Sequence, residues 1–182
     1  QVHIQGKFGG LYINNGSVKT YLDEIIQWGD VVFEYINSMC YGASNLTSIP
    51  SGLIPVVSTT VTTARNIFRD SSSLTGSPVS FSNMPNITDF NSAYNGCSSL
   101  DGSIPSDMFT YNVLATNFGS LFRTCSLLSG TIPSDIFSTN TLATDLSYVF
   151  RDCPTLTGSM PTFVNNTLIS KFIYAFYNCS GL

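Results

Sequence analysis

The stretch Phe118–Pro133, FGSLFRTCSLLSGTIP, occurs again as FNSAYNGCSSLDGSIP at Phe90–Pro105 and as LSYVFRDCPTLTGSMP at Leu146–Pro161. The shared pattern is apolar-x-x-apolar-aromatic-x-x-Cys-x-x-Leu-x-Gly-x-Ile/Met-Pro. Its leucine falls at Leu46, Leu74, Leu100, Leu128, Leu156 and Leu182, in steps of 28, 26, 28, 28 and 26 residues. The apolar start of the unit (Ile36, Ala64, Phe90, Phe118, Leu146, Phe172) gives the same five steps. Two columns in one register restrict the chain severely. A unit this short cannot bury its own apolar face, so a fixed period in this range predicts a solenoid whose copies cover one another.

Composition agrees with a continuous core and an uncharged surface. Of the 182 residues, 43% are apolar and 13% aromatic, and only 10% are charged, against roughly 25% in typical soluble domains. Ser, Thr, Asn and Gly carry the surface, which suits an extracellular environment. A net charge of −4 with seven scattered Lys and Arg argues against nucleic acid, which is held by clustered cations. No apolar run approaches the roughly 20 residues that span a bilayer, and no signal peptide is visible. Gln1 in place of an initiator Met, and Leu182 inside a repeat, lead us to expect a processed product or a fragment of a longer array. Four of the five cysteines, Cys97, Cys125, Cys153 and Cys179, share one column, in which earlier copies have Ala43 and Ser71. A position that accepts Cys, Ala or Ser reads as a small buried residue, and no CxxC or nearby His supports zinc.

Residues 1–35 read as an N-terminal cap, with short strands near Val2–Gln5 and Leu11–Asn14. Within it, residues 17–28 (SVKTYLDEIIQW) place Val18, Tyr21, Leu22, Ile25 and Ile26 at helical spacing. Ser17 is suited to the N-cap and Gly29 to the C-cap. Such a helix would seal the first coil. From residue 36 to 182 the repeats follow. The apolar-x-x-apolar-aromatic piece has i, i+3, i+4 spacing and predicts a short helical turn. Thr88-Asp89, Thr116-Asn117 and Thr144-Asp145 stand before it as caps. Leu-x-Gly-x-Ile-Pro predicts a short parallel strand that the Pro ends. Phe68, Tyr94, Phe122, Phe150 and Phe176 form an aromatic column, with Cys40 in the equivalent place of the first coil.

The pattern Thr-Asn/Asp-apolar-x-x-apolar-Phe-x-x-Cys-x-x-Leu resembles the BspA-like leucine-rich repeats, especially those of mycoplasma surface lipoproteins. AFYNCSGL (Ala175–Leu182), TNFGSLFRTCSLL (Thr116–Leu128) and the lead-in WGDVVFEYINSMCYGASNLTSIP (Trp28–Pro50) carry the resemblance, which covers about Gln27 to Leu182. The Gly-x-Ile-Pro-Ser-Asp-x-Phe stretch is also similar to plant-type leucine-rich repeats. The resemblance implies an α/β leucine-rich-repeat solenoid, right-handed, with short parallel strands and short helical turns. About six coils of 26–28 residues would follow the capping helix. It also implies display on a cell surface and a role in adhesion or host contact, and brings no enzymatic activity.

The residues point the same way. His3 is the sole histidine, so neither a Ser-His-Asp triad nor a His-dependent metal site can be assembled. Asp107 and Asp135 share a column, but no dense acidic loop offers the six or more oxygens that calcium takes. No catalytic residue, metal site or cofactor is therefore assigned. Arg123 and Arg151 directly follow core aromatics, as does Arg69, and should be exposed. Tyr148, Tyr174 and Tyr177 lie near them by register, and Arg with exposed aromatics is what binding hot spots favour. The expectation is a non-enzymatic extracellular or surface-displayed binding and adhesion module. Its partner would be a protein or glycan on a host or neighbouring cell. The alternative is a self-assembling structural subunit or spacer of a fibre or phage virion appendage.

Overall fold

The computed structural model describes residues 7–8, 20–28, 32–50 and 57–182. Its regular structure amounts to four strands of two residues each: β1 (Lys7–Phe8), β2 (Val32–Phe33), β3 (Gly130–Thr131) and β4 (Leu156–Thr157). They pair in parallel, β1 with β2 and β3 with β4. Single parallel bridges do the rest of the pairing. Thr63 bridges Asp89, which bridges Asn117, then Asp145, then Lys171. Glu24 bridges Ser48 in the same sense.

Between these bridges the backbone runs through consecutive turns with one alternating rule. The amides of Phe118, Ser120, Phe122 and Thr124 donate outward, to the carbonyls of Asp145, Ser147, Val149 and Arg151, at 2.7–2.8 Å. The intervening amides of Leu121, Arg123 and Cys125 donate back three residues, to Phe118, Ser120 and Phe122, at 3.1–3.3 Å. Alternation of this kind needs a left-handed residue at fixed places. Ser38, Asn66, Ser92, Ser120, Tyr148 and Tyr174 all have φ between 52° and 59°. Four residues further on, Gly42, Asp70, Gly96, Thr124, Asp152 and Asn178 are also left-handed, with φ between 57° and 80°. A left-handed non-glycine residue costs roughly 1–2 kcal/mol. Here each such residue from Ser38 to Asp152 aims one more amide at the next copy, so a backbone with little regular secondary structure still pairs its polar groups.

One buried cluster runs from Phe33 to Cys179, with Leu22, Ile25 and Trp28 packed against it. Its centre is a file of stacked rings. Phe68, Tyr94, Phe122, Phe150 and Phe176 follow one another at centroid separations of 5.2–5.6 Å. A second file, Phe81, Phe109, Phe137 and Phe163, has separations of 6.0–6.2 Å. Rings at these distances add to the burial of their own area. Tyr94 fits the first file because its hydroxyl exchanges hydrogen bonds with both the amide and the carbonyl of Val79.

The fold expected from the sequence is overturned. Among the described residues there is no α-helix, and the strands are too few and short for an α/β leucine-rich-repeat solenoid of about six coils behind a helical cap. The helix over residues 17–28 is absent where the segment is described, from residue 20 onward. The backbone of that segment pairs sideways instead: Ile25 donates to Ser48, and Thr47 donates to Asp23. Leu22, Ile25 and Trp28 turn to the core, whereas Tyr21 and Ile26 are 78% and 66% exposed, so the helical stripe is not used. The helical turns fail for the reason given above, since left-handed residues at two positions per copy forbid a right-handed turn. The strands near Val2–Gln5 and Leu11–Asn14, and His3, lie outside the described residues.

Candidate functional site

Each turn segment carries two variable positions, the first left-handed residue and the residue three beyond it. The first is Ser38, Asn66, Ser92 and Ser120 in the earlier copies, and becomes Tyr148 and Tyr174 in the later ones. The second is Tyr41, Arg69, Asn95, Arg123, Arg151 and Tyr177. Stacking in register therefore gathers three rings and two guanidinium groups that are far apart in sequence.

The five residues expected at a binding surface are all brought together. The Arg151 guanidinium carbon lies 5.6 Å from the Tyr148 ring centroid, 5.7 Å from Tyr174 and 5.3 Å from Tyr177. Arg123 reaches the same Tyr148 ring at 5.5 Å. Tyr148 and Tyr174 stack at 5.8 Å, and Tyr177 meets Tyr174 edge-on at 5.4 Å. Tyr174 and Tyr177 remain 56% and 55% exposed. Contacts of this length between cation and ring face are attractive by about 0.5–1 kcal/mol at exposed sites, so the rings hold the guanidinium groups in place. The Asp152 carboxylate accepts from Arg151 Nε at 3.1 Å and from Asn178 Nδ2 at 3.1 Å. Arg69 makes a separate pair with Tyr41, at 5.2 Å.

The cysteine column has a structural role. All five cysteines are free and buried. The thiols of Cys97, Cys125, Cys153 and Cys179 donate to the carbonyls of Phe68, Tyr94, Phe122 and Phe150 at 2.9–3.1 Å. Ser71 Oγ donates to the Cys40 carbonyl at 2.8 Å in the same manner, which is why Ser and Cys exchange there. Burial pushes the Cys40 thiol up to about 12 and raises those of Cys97, Cys125, Cys153 and Cys179 as well. These thiols are poor nucleophiles and poor metal ligands, since both roles need the thiolate.

Sequence reasoning missed a second polar column. Asn112, Asn140 and Asn166 are fully buried or nearly so. Asn112 Nδ2 donates to Met84 O at 2.7 Å, Asn140 Nδ2 to Asn112 O at 2.8 Å, and Asn166 Nδ2 to Asn140 O at 2.9 Å. Its signal was present as Phe-x-x-Asn in FTYN, FSTN and FVNN, at the same period.

Asp107 and Asp135 both lie exposed, and no group of three or more His, Cys, Asp or Glu among the described residues could hold a metal ion. A groove of about 760 Å³ is lined by Ser48, Thr75, Ser77 and Ser80 among others, with Asp107 its one carboxylate. No helix among the described residues is long and apolar enough to cross a membrane. Compared with known proteins, the chain matches no family model, no curated protein and no solved structure. The resemblance to BspA-like repeats thus stands on the residues quoted for it alone.

Proposed function

We propose that the chain is a non-enzymatic binding and adhesion module, displayed outside the cell or on its surface. It would meet a protein or glycan on a host or neighbouring cell through the face built by Arg123, Tyr148, Arg151, Tyr174 and Tyr177. The observation that carries this reading is the convergence of two guanidinium groups and three rings within 5.3–5.8 Å. Arg and Tyr are the residues in which binding energy concentrates. The test is a combined glycan and protein array, probed with the wild-type chain and with a Tyr174→Ser, Tyr177→Asn double variant. Ligands bound by the first and not the second support the reading; equal binding by both would refute it.

A structural reading, as a self-assembling subunit of a fibre or virion appendage, is favoured by a different observation. Leu114, Leu142 and Leu168, one repeat apart, are 46%, 41% and 52% exposed, an apolar file on the surface. Light scattering over a concentration series decides the matter, since side-to-side packing requires the mass to rise with concentration.

A further inference from the structure

The five-residue face holds one cation that pairs with no carboxylate among the described residues. Arg65, Arg69, Arg151 and Lys171 each pair with a carboxylate at 3.1–3.5 Å. Arg123 makes no ion pair or side-chain hydrogen bond among the described residues; its contact is the Tyr148 ring. A planar guanidinium held beside a ring, with its side-chain donors uncommitted, is suited to bidentate capture of a carboxylate. The rings beside it come at a cost. The column that holds Ser120 and Ser92 in other copies holds Tyr148 and Tyr174 here, at φ of 59° and 52°. Bulky residues in the left-handed region are uncommon and strained. Tyr148 is partly buried in return, but Tyr174 leaves 56% of its surface in solvent.

We propose that this face is a binding site for an acidic glycan, with Arg123 taking the carboxylate of a uronic or similar sugar acid and Tyr174 and Tyr177 taking the apolar faces of adjoining sugar rings. The inference rests on the binding-module reading and narrows its ligand. Tyr148 and Tyr174 stack at 5.8 Å and Tyr177 stands edge-on to Tyr174, so the exposed parts of Tyr174 and Tyr177 offer apolar ring surface beside the guanidinium groups for the C–H faces of sugar rings. An acidic peptide would look instead for a recess to anchor side chains, and the groove at Ser77, Pro78 and Val79 is lined by none of these five residues.

Isothermal titration with oligogalacturonate, with neutral oligogalactose and with oligoglutamate tests the proposal. Oligogalacturonate should bind, neutral oligogalactose should bind at least about tenfold more weakly, and rising salt should weaken the acidic ligand. Arg123→Gln should abolish the preference for the acidic sugar while leaving weak binding of the neutral one. Tyr174→Ser should weaken both, and circular dichroism should show it folded, because serine already occupies that position at Ser120. Equal affinity for the acidic and neutral sugars, or an Arg123→Gln variant that keeps its preference, overturns the acidic-glycan assignment while sparing the binding module. Binding of oligoglutamate alone overturns the glycan in favour of a peptide. Failure of all three ligands overturns the acidic glycan, and the wider array then judges the binding module separately.

Discussion

The identity of a buried residue here is set by what it must donate as much as by its size. Cys125 fills a small space and gives its S–H to the Tyr94 carbonyl at 3.1 Å, and serine does the same at Ser71. Cys125→Ser should therefore cost no more than about 1 kcal/mol. Cys125→Val removes the donor and adds a branch to a packed site, and should cost about 1–3 kcal/mol. Urea denaturation of the two variants checks the order. Leu128, fully buried, and its neighbour Ser129 give a sharper contrast. Leu128→Ala should cost about 2–5 kcal/mol as a core deletion. Ser129→Ala loses only an exposed hydrogen bond to Asp101 O and should cost under about 1 kcal/mol. Equal losses would mean that the leucine column is not part of the core.

At the scale of the turn segment, the left-handed positions and the asparagine file decide whether copies can pair. Thr124 has φ 58°, an awkward conformation for a β-branched residue, and its column holds glycine at Gly42 and Gly96. Thr124→Gly should therefore be neutral or stabilising, by up to about 1 kcal/mol, although glycine elsewhere in a chain usually destabilises. Thermal melts of Thr124→Gly and of an exposed Thr110→Gly control separate the two cases. Asn140 is tested by charge. Its Nδ2 donates to the carbonyls of Phe109 and Asn112. Asn140→Ala should cost about 2–4 kcal/mol. Asn140→Asp sets an anion against two carbonyl oxygens and should cost more at neutral pH, recovering in part as pH falls towards the ordinary carboxyl range near ~4. The aromatic and cysteine columns were legible in the sequence, because a core side chain repeats its identity. The backbone was not. Apolar residues at i, i+3 and i+4 suit a helix, but they suit equally a string of turns with left-handed residues between them. The clue was the Gly, Asp and Asn of Gly42, Asp70, Gly96, Asp152 and Asn178, which tolerate positive φ and which read as ordinary surface until the torsions are known. The Arg–Tyr face was legible, because register alone brings Tyr148 and Tyr174 beside Arg151.

For the molecule as a whole, these columns make the core a store of protons. Five thiols and the Tyr94 hydroxyl are buried in their neutral forms. The Cys40 thiol is raised from an ordinary 9.0 to about 12, first of all by burial. Cys97, Cys125 and Cys153 are shifted in the same direction by the same cause. Each is an acid whose folded value lies above its unfolded one. Above pH 9.0 the unfolded chain therefore releases protons that the folded chain keeps. Stability from these groups is fully present below that pH and falls as pH rises towards about 12, with a slope of up to ~1.4 kcal/mol per pH unit for each thiol. Native protein should accordingly resist a thiol reagent at pH 8 and react at five cysteines once unfolded in urea. The urea midpoint should hold level to about pH 9 and then decline steeply. Cys125→Ser should flatten that decline by about one proton, because serine does not titrate in the range. A midpoint independent of pH between 9.0 and about 12 would mean that the column is open to water, and that the sulfur-to-carbonyl contacts joining one copy to the next do not form in solution.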